Sequence, residues 1–153
     1  MNKQIPELSF VDIEKGDSNS INILSDALED HGFFSITEHG LSNELVDKCY
    51  QLSKQFFNLE YETKNKYSSV GSKGARGYTP KGIETAVGEN VPDQKEFWHH
   101  GPVVDDTFDQ KIPKNIIIEE IPEFNKYYDE LYLELHKIGS RVLSVIALSL
   151  EID

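Results

Sequence analysis

The segment His31–Gly40, HGFFSITEHG, indicates how the first third of the chain folds. Its centre, Phe33 to Thr37, is short and rich in aromatic and β-branched residues, which predicts a β-strand. Gly32 stands where a preceding helix would end, and Gly40 closes the strand. The segment therefore predicts a strand between two helices.

Helical patterns lie on both sides of this strand. Before it, Ile21, Leu24 and Leu28 share one face of a helix. After it, Ser42 is a candidate N-cap, with Glu44 in the first turn, where the helix dipole favours negative charge. Apolar residues then follow alternately four and three positions apart, which predicts a second amphipathic helix. They are Leu45, Cys49, Leu52, Phe56 and Leu59.

The remaining elements are predicted outward from this centre. Pro6–Ile13 (PELSFVDI) alternates apolar and polar residues, which favours an opening strand. A short third helix is expected between Asn58 and Tyr67. Five glycines between residues 68 and 88 predict a loop or loosely paired strands, and a further strand is expected around Phe97 and Trp98.

The last element has the clearest pattern. One apolar stripe predicts a helix from Phe124 to about Leu150. Its members are Phe124, Tyr128, Leu131, Leu135, Ile138, Val142 and Val145. The element order indicates an α+β fold with too few strands to close a sheet. No later element could cover the stripe, so we expect further sequence beyond Asp153 or a partner on this surface.

Composition restricts the class of function. The 153 residues carry a formal net charge of −12, which makes nucleic acid and anionic membranes poor partners. Cys49 is the only cysteine, so no internal disulfide forms, and we expect it to be a small buried side chain. No apolar run approaches the ~20 residues of a membrane span, so we expect a soluble, cytoplasmic protein.

Several motifs, in this order, resemble the N-terminal region of the Fe(II)/2-oxoglutarate-dependent oxygenases of the isopenicillin N synthase-like family. They are PELSFVDI, HGFFSITEHG, FFNLEYETKNKY (residues 56–67), RGY (residues 76–78) and EFWHHG (residues 96–101), followed by the long helix. The resemblance covers nearly the whole chain, so residues 1–153 are expected to form a non-haem dioxygenase N-terminal domain. Members of this family commonly carry asparagine where this chain has Glu38.

The resemblance implies helices packed against a double-stranded β-helix, the jelly-roll barrel that holds the metal. That barrel is incomplete in this chain and is expected C-terminal to it, as the partner of the long helix. The family binds iron through H-x-D and a distant histidine, and 2-oxoglutarate through R-x-S. None of the five histidines is followed two residues later by an acid, and neither Arg76 nor Arg141 begins R-x-S. We therefore expect Fe(II) and 2-oxoglutarate in the intact protein, and neither catalytic nor metal-binding residues in this segment.

Arg76 and Tyr78 are the candidate substrate-binding residues. In relatives the segment around RGY approaches the mouth of the active site, where an arginine could pair with a substrate carboxylate. The alternative is a structural salt bridge for Arg76 and core packing for Tyr78. His99 and His100 are adjacent on a predicted strand and point to opposite faces, which argues against one shared ion. His39 is interpreted as a hydrogen-bonded structural residue.

The resulting hypothesis concerns the intact protein. It would use O₂ to hydroxylate, desaturate or cyclise a small organic substrate, and the 153-residue segment alone would be inactive. The rival hypothesis is a non-catalytic truncated relative whose helix stripe makes it a protein-interaction module. The sequence does not identify the substrate.

Overall fold

The computed structural model describes residues 4–68, 74–85, 87–88, 90–105 and 112–150. In chain order the elements are β1 (Glu7–Ser9), α1 (Phe10–Glu14), α2 (Ser18–Asp30), β2 (Ser35–Thr37), α3 (Asn43–Phe57), α4 (Tyr61–Asn65), β3 (Gly77–Thr79), β4 (Phe97–His99) and α5 (Phe124–Ser149). The chain divides into a terminal unit, Met1–Leu41 with Glu134–Asp153, and a central unit, Ser42–Leu133.

In the terminal unit the opening strand is shorter than the sequence suggested. β1 pairs in parallel with β2, with Leu8 opposite Ile36, and ends at Ser9. The strand predicted through to Ile13 is wrong beyond that point. The Ser9 hydroxyl accepts a hydrogen bond from the backbone N–H of Asp12 at 3.3 Å and caps α1. Within α1, Phe10 and Ile13 lie three residues apart and are both buried.

The helix before the central strand forms as expected. Asp17 caps α2 by accepting a hydrogen bond from the backbone N–H of Ser20 at 2.9 Å. The helix ends at Asp30, and Gly32 follows it. One hydrophobic core gathers residues from β1, α1, α2 and the far end of α5. They are Leu8, Phe10, Ile13, Leu24 and Val145.

The turn after β2 contains a strained residue. Glu38 has φ +54°, the one positive value among the non-glycine residues of the described ranges. A side chain in the left-handed region crowds the backbone, and asparagine tolerates this conformation better than glutamate does. Asparagine would therefore adopt the backbone conformation of Glu38 with less strain.

In the central unit the predicted N-cap is confirmed. The Ser42 hydroxyl accepts a hydrogen bond from the backbone N–H of Leu45 at 3.2 Å, and Glu44 lies in the first turn of α3. Four members of the predicted stripe are buried: Leu45, Cys49, Leu52 and Phe56. Leu59 follows the end of the helix, and α4 supplies the expected third helix.

Phe56 lies at the centre of an aromatic cluster in this unit. It is fully buried, and its ring centroid is 4.9 Å from that of Trp98 and 5.9 Å from that of Phe124. Edge-on contacts of this kind add to the free energy gained by burying the rings. The cluster joins α3 to β4 and to the first turn of α5.

The glycine-rich region forms one strand of a two-stranded antiparallel sheet. Gly77 begins β3, with φ +78°. A Cβ atom there would lie 2.5 Å from the carbonyl oxygen of Tyr67 and 2.5 Å from Cδ1 of Ile116, so only glycine fits. Part of the predicted loop, residues 69–73 and 86, lies outside the described residues. Over the described ranges the strands form two two-stranded sheets and no closed barrel.

Helix α5 covers nearly the predicted range, but the expectation that nothing in this chain covers its stripe is wrong, because two hydrophobic cores bury part of it. Phe124 and Val145 are buried, but Leu135 is 50% exposed. At 3.6 residues per turn, Leu133, Leu143 and Leu148 lie away from the stripe. These three leucines, the outer leucines of α5, are 50%, 66% and 74% exposed. None of the helices in the described ranges is both long and apolar enough to cross a membrane.

Replacing Glu38 by asparagine should stabilise the chain. Relief of left-handed strain is expected to raise the free energy of unfolding by about 0.5–1 kcal/mol, measured by urea denaturation. The matched control is Glu44→Asn in α3, which should give no gain. Equal or lower stability of Glu38→Asn would contradict the strain assigned to this turn.

Candidate functional site

The β3–β4 sheet divides the candidate residues between two faces. Tyr78 is paired with Trp98, and Gly77 with His99. Directly opposed residues of an antiparallel pair share a face, and alternate residues along each strand return to it. One face, here called the core face, therefore carries Tyr78 and Trp98 within the strands. Just outside the strands, Glu96 lies on the same side, because its carboxylate contacts the Tyr78 hydroxyl. Arg76 and His100 are the residues next to the Gly77–His99 pair at the other end of the sheet.

Tyr78 is held in the interior by a charged network. Its side chain is 2% exposed, and its hydroxyl donates a hydrogen bond to Glu96 Oε2 at 2.5 Å. Lys64, from α4, donates to the same carboxylate oxygen at 2.8 Å and to the carbonyl oxygen of Phe57 at 3.1 Å. The Lys64 ammonium also lies 5.5 Å from the centroid of the Tyr78 ring. We call these three side chains the Lys64–Glu96–Tyr78 network.

The network shifts the protonation equilibria of its acidic members. Burial alone would raise the pKa of Glu96, but hydrogen bonds from Lys64 and Tyr78 outweigh burial and lower it. Burial and the neighbouring Glu96 carboxylate both raise the pKa of Tyr78. Glu96 is therefore ionised and Tyr78 neutral at pH 7, which suits a structural ion pair.

Arg76 packs against the backbone of the residue after His100. Its guanidinium occupies the space that a Cβ atom of Gly101 would need, so the contact depends on glycine at that position. Nη1 of Arg76 donates to the carbonyl oxygen of Ala75 at 2.6 Å. Nε of Arg76 is buried and has no hydrogen-bond partner among the described residues. The side chain is half-buried, between the core face and solvent.

A second polar cluster holds Gly101 and His100 in place. Asn115 Oδ1 accepts from the backbone N–H of Gly101 at 2.9 Å, and Asn115 Nδ2 donates to the Gly101 carbonyl oxygen at 2.8 Å. His100 Nε2 lies 2.7 Å from Asp129 Oδ1 on α5. Burial lowers the pKa of His100, whereas the hydrogen bond with Asp129 opposes that shift; the net result is a lowered pKa.

The remaining candidate histidines have separate surroundings. His99 Nδ1 contacts the carbonyl oxygen of Gly74, so His99 and His100 have different partners. In the terminal unit His39 Nδ1 accepts from the backbone N–H of Leu41 at 3.1 Å, which confirms its structural role. Within the described ranges no three His, Cys, Asp or Glu side chains are grouped to hold a metal ion. The location of the iron ligands stays a prediction.

The structure gives Arg76 and Tyr78 different environments. Tyr78 packs in the core, as its alternative interpretation had it, and Arg76 lies half-buried at one end of the sheet. Whether either residue contacts substrate stays a prediction. Sequence reasoning missed Lys64, Asn115 and Asp129. Side chains alternate between the two faces of a strand, so residues 96, 98 and 100 are expected on one face. This alternation could have predicted Glu96 and His100 on the same face as Trp98.

Replacing Glu96 by glutamine should destabilise the chain in a pH-dependent way. At pH 7 the change leaves the Lys64 charge without its carboxylate, at a cost of about 3 kcal/mol in the free energy of unfolding. The folded pKa of Glu96 lies below its ordinary value of 4.5. The stability that this carboxylate contributes is therefore present above pH 4.5 and is lost as pH falls through the folded pKa.

The difference between Glu96→Gln and the unchanged chain should accordingly shrink below pH 4.5, in urea titrations repeated across pH. Glu119→Gln is the matched control, because this carboxylate is exposed and its loss should cost less than about 0.5 kcal/mol. A Glu96→Gln penalty that is the same at pH 3 and pH 7 would rule out the ion pair as its source.

Comparison with known proteins identifies relatives over most of the chain. It is 30% identical over 145 residues to a 2-oxoglutarate-Fe(II) type oxidoreductase of Metarhizium rileyi, covering 85% of this chain and 39% of that protein. It is 26% identical over 160 residues to the leucoanthocyanidin dioxygenase of Malus domestica, covering 99% of this chain and 43% of that protein.

A solved structure agrees in fold. A Caulobacter crescentus protein assigned to the 2OG-Fe(II) oxygenase family superposes with a TM-score of 0.86 and 33% identity, covering 99% of this chain and 50% of that chain. The chain thus spans about two fifths to one half of the length of these relatives. The family model for the non-haem dioxygenase in morphine synthesis N-terminal domain matches residues 5–120. The chain belongs to the non-haem dioxygenase N-terminal family.

Proposed function

We propose that this chain is the N-terminal portion of an Fe(II)/2-oxoglutarate-dependent oxygenase that hydroxylates, desaturates or cyclises a small organic substrate with O₂. The observation that carries the proposal is the agreement in fold with the Caulobacter protein, over 99% of this chain but half of that one. The described residues fit no iron site. The proposal therefore assigns binding of iron and 2-oxoglutarate to a C-terminal jelly-roll barrel, and none of that chemistry to residues 1–153.

The exposure of the outer leucines of α5 supports the proposal that a further part of the polypeptide packs against them. The stripe side of α5 reaches buried positions at Phe124 and Val145, while Leu133, Leu143 and Leu148 remain half or more exposed. A helix that is apolar on more than one side is usually covered on more than one side. In this proposal the barrel covers the outer leucines, and the intact protein is cytoplasmic.

Arg76 is the substrate-facing residue of this chain in the proposal, and Tyr78 supports it from the core. Arg76 is the direct contact, because its half-buried guanidinium combines a fixed charge with partial shielding from water. A carboxylate is the group that a guanidinium binds best, through two parallel hydrogen bonds. Tyr78 holds β3 in place through Glu96. The substrate class that follows is a small organic acid.

Turnover of 2-oxoglutarate by the natural gene product tests this proposal. The protein encoded by the natural gene, purified through an N-terminal tag, should consume 2-oxoglutarate only with Fe(II) and O₂. At least one acid from a panel of small organic acids should stimulate this consumption. The 153-residue chain under the same conditions should show only background consumption. Iron-dependent consumption of 2-oxoglutarate by the 153-residue chain, or no consumption by the protein encoded by the natural gene, would contradict the proposal.

The matched pair Arg76→Lys and Arg141→Lys tests the substrate contact in the same assay. Lysine keeps the charge but loses the two-pronged geometry, so Arg76→Lys should raise the half-saturating acid concentration about tenfold. Arg141 pairs with Glu14 in the terminal unit, and Arg141→Lys should leave that concentration unchanged. Equal effects of the two substitutions would remove Arg76 from the substrate site.

A further inference from the structure

Arg76 and His100 lie at the same end of the β3–β4 sheet. The antiparallel register pairs Gly77 with His99, and Arg76 and His100 are the next residues along the chain beyond that pair. The guanidinium of Arg76 also packs on Gly101, the neighbour of His100. The two side chains are therefore close neighbours, although they are 24 positions apart in the sequence.

Each of these side chains has a buried nitrogen without a partner among the described residues. The atoms are Nε of Arg76 and Nδ1 of His100. The His100 side chain is only 7% exposed, so bulk water does not readily satisfy its Nδ1. A buried polar atom left unbonded costs about 1–3 kcal/mol, so a pair that can satisfy each other is favoured.

The contact with Asp129 determines which ring nitrogen of His100 carries the proton. The Asp129 carboxylate oxygen lies 2.7 Å from His100 Nε2, and an ionised carboxylate can only accept. Asn115 Nδ2 is 3.2 Å from the same oxygen and donates to it as well. Asn115 Nδ2 also lies 3.1 Å from His100 Nε2, a contact that would be a hydrogen bond only in the other tautomer. The shorter contact with Asp129, at 2.7 Å, assigns the proton to Nε2, and in neutral imidazole Nδ1 is left as an acceptor. The Nε–H of Arg76 is a hydrogen-bond donor and therefore complements the acceptor at Nδ1 of His100.

We propose that Asp129, His100 and Arg76 form a hydrogen-bonded relay. Asp129 accepts from Nε2–H of His100, and Nδ1 of His100 accepts from a water molecule that in turn accepts from Nε–H of Arg76. The relay fixes the plane of the Arg76 guanidinium, so His100 and Asp129 are positioning residues for it. Their role in carboxylate recognition rests on the proposed function; the relay itself does not.

The relay exists only while His100 is neutral. The charged or titratable groups facing His100 are Asp129 and Tyr128 on α5 and Arg76 beside β3. Burial lowers the pKa of His100 below its ordinary value of 6.5, Asp129 raises it, and the Arg76 charge lowers it again. At pH 7 His100 is therefore neutral. Protonation at lower pH puts an N–H on Nδ1, which then repels the Arg76 donor instead of accepting from it.

Nitrogen NMR of the 153-residue chain tests the relay. The chain has two arginines, so two Nε–H signals are expected, and Arg141→Lys identifies that of Arg76. At pH 7.5 the Arg76 Nε–H should exchange with water about tenfold more slowly than the Nε–H of a free arginine side chain at the same pH, as one retained hydrogen bond implies. Its chemical shift should follow the titration of His100 with the same midpoint, below pH 6.5.

His100→Gln and His99→Gln form the matched pair. Glutamine can still donate to Asp129 but has no acceptor where Nδ1 was, so His100→Gln should speed Arg76 exchange about tenfold and abolish its pH dependence. His99→Gln, on the other sheet face, should change neither. If the chemical shift of the Arg76 Nε–H does not change as His100 titrates, the relay is wrong. This measurement uses the unsubstituted chain, so it tests the relay even if His100→Gln fails to fold. No substrate, iron or 2-oxoglutarate is needed, so failure of the oxygenase proposal is a separate outcome.

Discussion

The buried ion pair between Lys64 and Glu96 is the interaction on which the central unit depends. Removing two opposite charges from water is costly unless their remaining hydrogen-bonding capacity is also satisfied. Here the Phe57 carbonyl and the Tyr78 hydroxyl supply the additional bonds. The pair joins α4 to the start of β4, 32 positions away, and through Tyr78 to β3. It therefore fixes which face of the small sheet turns inward, and with it the positions of Arg76 and His100.

Local elements could be predicted from the sequence because their signals are local. The Ser42 cap and the apolar stripe of α3 follow from side chains three or four positions apart. The strand predicted over Pro6–Ile13 is too long, because over a few residues an alternating apolar pattern is also compatible with the first turn of a helix. The hydrogen bond that caps α1 at Ser9 marks where the strand ends. For α5 the pattern gave the range, but Leu135 is exposed.

The candidate site was only partly predictable. Its two polar networks join side chains that are far apart in the sequence, such as His100 and Asp129 or Lys64 and Glu96. Spacing rules carry no information about such pairs, because they depend on how the sheet packs against the helices. The resemblance of the motifs identified the family, which the comparisons confirm. It drew attention to Arg76 and Tyr78, but it did not separate the interior role of Tyr78 from the half-buried position of Arg76.

The central claim is that this chain is the N-terminal portion of a longer oxygenase. The most direct test is the mass of the natural protein, read with the coding frame beyond the Asp153 codon. A mass of roughly twice the 17.4 kDa of this chain is expected, since the Caulobacter protein is matched over half its length. The coding frame is expected to contain H-x-D, a distant histidine and R-x-S, as the proposed function requires. A mass of 17.4 kDa with a stop after Asp153 would contradict it, and would leave the outer leucines of α5 to a partner protein.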